Sequence, residues 1–187
     1  MKRLFVAVKI NPDKAFFQTF RELRMSLSHE KIKWVEEYNI HITLKFFGET
    51  EEMRIPEITK VLESLASQIN IFSISLSGLG IFGSRYNPRV IWTGIQPYRY
   101  LAGMIGRIHS GMTTIGFPVD RQNLVPHLTL GRVNQIGDKG GFQVLIDRYR
   151  KIESISMVID HFILFESILM KEGPNYFNLK TFDFRKK

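Results

Sequence analysis

The 187-residue sequence predicts an α+β fold built from two similar halves. Three observations carry this reading. A βαβαβ-like order of elements occurs twice, the landmarks of the two copies keep one offset, and a tetrapeptide of the form His-x-Thr-Leu falls at the same place in each copy. In the first copy, residues 4–10 are apolar and β-rich, 12–27 suit a helix, 40–47 a strand, 55–69 a helix and 72–82 a strand. The second copy repeats that order. Residues 89–95 read as a strand, and 98–115 as a helix, with Leu101, Met104, Ile105, Ile108 and Met112 at helical spacing. Residues 125–133 then read as a strand, 142–149 as a helix and 155–165 as β-rich. Phe5 and Ile91 stand 86 residues apart, as do His41 and His127. The chain is therefore expected to be one domain, residues 1–187, with repeats of roughly 1–85 and 86–187 packed about a pseudo-twofold axis.

Composition narrows the function classes. A chain that is 44% hydrophobic and of this length can bury a sizeable core, and its halves already cover one another, so a monomer is expected. The absence of cysteine excludes disulfide scaffolds, thiol nucleophiles, iron–sulfur clusters and thiolate zinc sites. The apolar runs are far shorter than a membrane span needs and no signal-peptide pattern opens the chain, so a cytoplasmic protein without a membrane partner is expected. Twenty-six Lys and Arg against 18 Asp and Glu leave a net charge of +8, which favours an anionic partner, nucleic acid among them. Arg185, Lys186 and Lys187 read as a frayed, solubilising tail.

The chemistry concentrates in the repeated tetrapeptide. Along His41-Ile42-Thr43-Leu44-Lys45-Phe46, strand alternation places His41, Thr43 and Lys45 on one face and Ile42, Leu44 and Phe46 toward the core. His127-Leu128-Thr129-Leu130 alternates in the same phase, with His127 and Thr129 outward. Asn39 lies two residues before His41, Asn123 four before His127, and Pro126 directly ahead of the second histidine, so each histidine is expected near a strand start. One such strand is most simply a solvated amphipathic edge; two at equivalent places point to a site. Histidine can be a neutral base or a charged acid near neutral pH. A pair can run an in-line displacement at phosphorus, one taking a proton from the attacking oxygen and the other protonating the departing one. The threonine hydroxyls suit the non-bridging oxygens. This chemistry needs no metal or other cofactor.

Other chemistries fit less well. His29, His109 and His161 have no metal-ligand spacing and read as surface or core residues, and no His-Glu-x-x-His pattern occurs. Gly78, Gly80 and Gly83 spell a Gly-x-Gly-x-x-Gly pattern, but it leads into a strand rather than opening a helix, so it reads as a glycine-rich bend. The phosphate-loop and serine-hydrolase elbow patterns are absent.

The two motifs, together with Arg3-Leu4-Phe5-Val6-Ala7-Val8, Pro88-Arg89-Val90-Ile91-Trp92, Pro126-His127-Leu128-Thr129-Leu130-Gly131-Arg132 and Leu164-Phe165-Glu166-Ser167, resemble the 2H phosphoesterase superfamily. Within it they are most similar to the RNA 2′,3′-cyclic phosphodiesterases historically called 2′-5′ RNA ligases. The resemblance implies a bilobal fold with two antiparallel sheets, outer helices and a central cleft holding both motifs. It implies an RNA partner with a 2′,3′-cyclic phosphate end, hydrolysed to a 2′-phosphate without metal or nucleotide cofactor. It also implies His41 as proton donor to the departing 3′ oxygen and His127 as the base that activates water; from the residues alone the two roles are interchangeable.

Arg89 and Arg132 are candidate phosphate contacts, and Lys45 is a candidate for the cleft rim. Tyr38 and Phe47 flank the first motif and could stack on a base, with Phe47 also suited to the core. Two alternatives share the site: a 2′-5′ RNA ligase acting on RNA ends, and a non-catalytic module that binds them.

Overall fold

The structure is a computed structural model that describes residues 1–119, 125–171 and 173–186; Asn123 and Lys187 lie outside the described residues. Its first strand, β1 (Lys2–Lys9), is buried on both faces. Leu4, Val6 and Val8 enter the main core, while Phe5 and Ala7 join Ile163 and Phe165 in a smaller cluster on the opposite side. A near-continuous apolar run is what a central strand covered on both sides requires. The chain continues through α1 (Lys14–Ser26), β2 (Lys31–Trp34), β3 (His41–Thr50), α2 (Ile55–Ala66), β4 (Phe72–Ser84), β5 (Asn87–Gln96) and α3 (Tyr98–Thr113). It ends with β6 (Leu128–Gln135), α4 (Lys139–Arg148), β7 (Met157–Ile159), β8 (His161–Leu169) and β9 (Pro174–Asp183).

Local chemistry sets the helix starts. Asp13 caps α1 by accepting the Phe16 N–H at 2.8 Å, and Asp138 caps α4 by accepting the Gly141 N–H at 2.9 Å. The Asp13 carboxylate also accepts the Ile155 N–H at 2.7 Å, and these backbone hydrogen bonds, that of Ile155 first, lower its pKa. Pro56 occupies the first turn of α2, where a missing N–H costs nothing. On α3, the five apolar residues at helical spacing are all buried, and His109 is buried with them. No helix among the described residues is long and apolar enough to cross a membrane.

Nine strands among the described residues form two antiparallel sheets, in the orders β3-β1-β8-β9 and β2-β6-β5-β4-β7. Four neighbours correspond one to one: β3 with β6, β1 with β5, β8 with β4, and β9 with β7. The sheets do not divide at residues 85/86. In each repeat the first strand pairs with the second, β1 with β3 and β5 with β6, but the third strand crosses over: β4 pairs with β5 and β8 with β1. Each sheet is thus completed by a strand from the other repeat, which fixes one lobe against the other.

Several boundaries depart from the sequence reading. Residues 155–165 contain two strands, β7 and β8, and the helix expected over 55–69 stops at Ala66. The short β2 and the polar edge strand β9 were not anticipated. Arg185 is no frayed tail: its N–H donates to Ile69 O at 2.7 Å, and its carbonyl accepts the Ile71 N–H at 3.4 Å.

Candidate active site

The two His-x-Thr-Leu segments sit on β3 and at the start of β6, equivalent strands of the two sheets, and they share a device that alternation does not show. Opposite β1, Thr43 pairs with Ala7 and Lys45 with Val6, so Leu44 is an extra residue, a β-bulge. Opposite β5, Thr129 pairs with Trp92 and Gly131 with Ile91, so Leu130 is the same extra residue in the second copy. Each bulge reverses the alternation after the threonine. Lys45 and Gly131 are buried, whereas Phe46 and Arg132 turn outward into the cleft.

This corrects two expectations. Lys45 does not share the face of His41 and Thr43: it is 1% exposed, and its Nζ donates to Pro118 O at 2.6 Å, at the cavity's Phe117–Pro118 side. Phe46 is not a core residue but lines the cleft, with the Arg3 guanidinium 5.1 Å from its ring centroid. Gly131 is needed where it stands, because a Cβ there would lie 2.9 Å from Ile32 Cγ2 and 3.0 Å from Trp34 Cε3 on β2.

A bulged carbonyl loses its ladder partner and must find another donor. Leu130 O accepts the Val35 N–H at 2.9 Å, from the residue just after β2. Leu44 O accepts from Nε2 of buried His109 on α3, at 3.1 Å. His109→Phe removes that donor and leaves the carbonyl buried. We expect a loss of about 1–3 kcal/mol in denaturant unfolding, together with a lower kcat as the His41–Thr43 segment shifts.

The histidines are held alike. His41 Nδ1 lies 2.6 Å from Asn39 O, and His127 Nδ1 lies 2.7 Å from Val125 O, each a carbonyl two residues earlier. A carbonyl can only accept, so Nδ1 carries the proton and Nε2 is left for chemistry, a lone pair when the ring is neutral and a donor when charged. Aromatic rings fix both planes. Phe5 and Tyr176 each lie 5.1 Å from the His41 ring centroid; Phe82 lies 4.8 Å from that of His127 at 90°, and Trp92 6.5 Å. Gly80 makes room for Trp92, since a Cβ there would fall 2.5 Å from Cζ2 of the indole. The Gly78-x-Gly80-x-x-Gly83 pattern is thus not a bend between strands but lies within β4, where Gly78 and Gly83 take positive φ beside register shifts against β5.

Between the sheets lies a cavity of about 870 Å³. Thr43, Arg3 and Phe46 line it from the first sheet, and His127, Thr129, Arg89 and Arg132 from the second. An adjoining space of about 280 Å³ shares Thr43, Arg3, Phe46 and Arg132 and reaches His41 and Lys33. The structure therefore brings together His41, His127, Thr43, Thr129, Arg89 and Arg132, and Lys45, though turned off the His41–Thr43 face, still lines the same cavity. Among the described residues neither threonine hydroxyl has a hydrogen-bond partner, and none of Arg3, Arg89 and Arg132 has a carboxylate partner. Sequence reasoning missed Arg3, although its alternation with Phe5 and Ala7 on β1 was the available signal. Tyr38 is exposed and lines a separate recess of about 290 Å³ beside His41, and Phe47 packs on Phe117. His29 and His161 lie beside Glu30 and Asp160. No group of three or more His, Asp or Glu that could hold a metal ion occurs among the described residues.

Burial lowers the pKa of both histidines; the backbone carbonyls oppose it, and the Arg132 charge adds to it. His41 also feels His127. Both rings are thus mostly neutral at pH 7 in the free protein, and a phosphate anion between them would draw a proton onto one. The linkage sign follows: the unfolded histidines take up protons near pH 6.5 and the folded ones only at lower pH, so this contribution is present above about 6.5 and lost as the pH falls through the folded values. NMR titration is expected to place both midpoints below 6.5 and to show Arg132→Gln raising both.

A family model described as LigT-like phosphoesterase matches residues 8–92 and 96–176. The chain belongs to the LigT-like phosphoesterase family. Among its relatives in this family, the RNA 2′,3′-cyclic phosphodiesterase of Archaeoglobus fulgidus is 33% identical over 185 residues, 97% of this chain and 99% of its own. The protein of the same name from Methanocaldococcus jannaschii is 33% identical over 175 residues, 93% and 96% of the two chains. The fold agrees with two crystal structures. A Thermus thermophilus protein superposes with a TM-score of 0.79 at 23% identity over 99% of both chains, and E. coli LigT complexed with 3′-AMP with 0.73 at 20% identity over 98% of both. The LigT-like architecture thus spans this whole chain, with the two bulged motifs facing one another across its cleft.

Proposed function

We propose that this phosphoesterase hydrolyses the terminal 2′,3′-cyclic phosphate of RNA to a 2′-phosphomonoester by two-histidine acid–base catalysis, with no step routed through a metal. The observation that carries the reading is the matched pair of Nδ1-anchored histidines, one on each sheet, facing a cavity and its adjoining recess lined by three arginines and by two threonine hydroxyls that have no hydrogen-bond partner among the described residues. Family relatives named RNA 2′,3′-cyclic phosphodiesterase support the substrate class.

In this reading His127 Nε2 takes a proton from water as the oxygen attacks phosphorus. The P–O3′ bond breaks on the opposite side, and Nε2 of protonated His41 delivers its proton to O3′, leaving a 3′ hydroxyl and a 2′-phosphate. Burial, which lowers the His41 pKa, makes its imidazolium a stronger acid once the substrate anion has drawn the proton on. Thr43 and Thr129 donate to the non-bridging oxygens, and Arg132 offsets their charge. Lys45, held at Pro118, contributes positive charge from the cavity wall. A single turnover in ¹⁸O-labelled water with a competing 5′-hydroxyl RNA tests the nucleophile. One ¹⁸O in the 2′-phosphate is expected; joining of the two RNAs through a 2′-5′ bond in preference to hydrolysis would overturn it in favour of ligation.

A further inference from the structure

The two sheets match except for one strand. β2 is an edge strand beside β6 with no counterpart beside β3. Its alternation sends Ile32 and Trp34 against the core and leaves Lys33 exposed, directly across the ladder from Arg132. Like charges placed opposite one another on neighbouring strands repel, and here nothing offsets them: among the described residues neither side chain has a carboxylate partner. Ion pairs do form at other places, as in Lys2–Glu166 at 2.8 Å and Arg21–Glu37 at 2.6 Å, but none reaches this ladder position among the described residues. Arg3 approaches the same space from β1, so three cations from three strands line the 280 Å³ recess next to His41. Lys33 does not reach the larger cavity that holds His127. The extra strand therefore adds positive charge on the His41 side alone.

That side has a meaning under the roles proposed above, on which this inference rests. In-line displacement places the attacking water and the departing O3′ at opposite ends of the phosphorus. O3′ belongs to the ribose, so the terminal nucleoside, and the RNA chain joined to it through its 5′ oxygen, lie on the side of His41. We propose that Lys33 and Arg132, with Arg3 facing them, form a subsite for the phosphodiester that links the terminal nucleotide to the preceding one. The enzyme then selects RNA ends over free nucleoside 2′,3′-cyclic phosphates. Charge-assisted hydrogen bonds to that one anion relieve the Lys33–Arg132 repulsion and hold the chain's exit direction.

The test compares three substrates: a nucleoside 2′,3′-cyclic phosphate, a dinucleotide ending in the same group, and that dinucleotide with a neutral methylphosphonate linkage. Wild type is expected to favour the charged dinucleotide over the mononucleotide by about tenfold or more in kcat/KM, the size of one charged contact. Lys33→Gln should remove most of that preference by raising KM at unchanged kcat, and Lys33→Arg should restore it. The methylphosphonate should cost wild type at least that factor and cost Lys33→Gln only the small remainder left by Arg132 and Arg3. Equal losses by Lys33→Gln on mononucleotide and dinucleotide, or indifference of wild type to the neutral linkage, would overturn the subsite. Equilibrium binding of the 2′-phosphate-ended dinucleotide and of its methylphosphonate reads the same contact without turnover. Loss of the charge effect there defeats the subsite, whereas its presence without turnover on any substrate defeats only the proposed reaction.

Discussion

His41→Ala and His127→Ala are each expected to lower kcat on an RNA 2′,3′-cyclic phosphate by about 10²–10⁴-fold, with an unfolding free energy changed by no more than about 1–2 kcal/mol. Each histidine is tied by one Nδ1 hydrogen bond and two ring contacts and keeps part of its surface exposed, so its removal leaves the bulge and the β-ladder in place. The two variants differ in what rescues them. In an analogue with sulfur replacing O3′, the thiolate departs without needing a proton, so the penalty of His41→Ala should largely vanish while that of His127→Ala persists. The reverse pattern would exchange the two roles. Equal, unrelieved losses in both would show that His41 does not protonate the leaving atom.

Thr43→Val and Thr129→Val should each cost about 10²–10³-fold in kcat. Valine keeps the shape and the β-branch, and neither hydroxyl has a protein partner to lose among the described residues, so stability should stay within about 0.5 kcal/mol. Both side chains line the cavity from equivalent positions, two residues after the histidines and just before the bulges. Serine at either position should recover most of the rate. A change confined to KM would mean that the hydroxyls hold the ground-state phosphate without favouring the transition state.

Much of this arrangement is legible in the sequence because its period is local. The His-x-Thr alternation, the 86-residue offset of the two motif strands and the apolar spacing on α3 all survive in the structure, whereas β1 and β5 are offset by 85, with Ile91 in the place of Val6 rather than Phe5. What is not legible depends on partners distant in the chain. The bulges at Leu44 and Leu130 exist only in the registers against β1 and β5, and they invert the expected places of Lys45 and Phe46. Nothing within six residues marks them. His109 likewise looks like an ordinary helix residue until the Leu44 carbonyl beneath it is known to lack a ladder donor. The third-strand exchange is topological, since a repeat specifies its strands but not which copy they complete. β2 is only four residues long, and β9 alternates weakly at a sheet edge, so neither carries enough pattern to stand out.

The most direct measurement is the position of the phosphate in the product when chelator-treated protein acts on a short RNA ending in a 2′,3′-cyclic phosphate, followed by ³¹P NMR. A 2′-phosphomonoester formed at the rate seen without chelator, and lost in His41→Ala and His127→Ala, is the expected result. A 3′-phosphate, a reaction abolished by the chelator, or tight binding of the RNA with no product would contradict the two-histidine hydrolase.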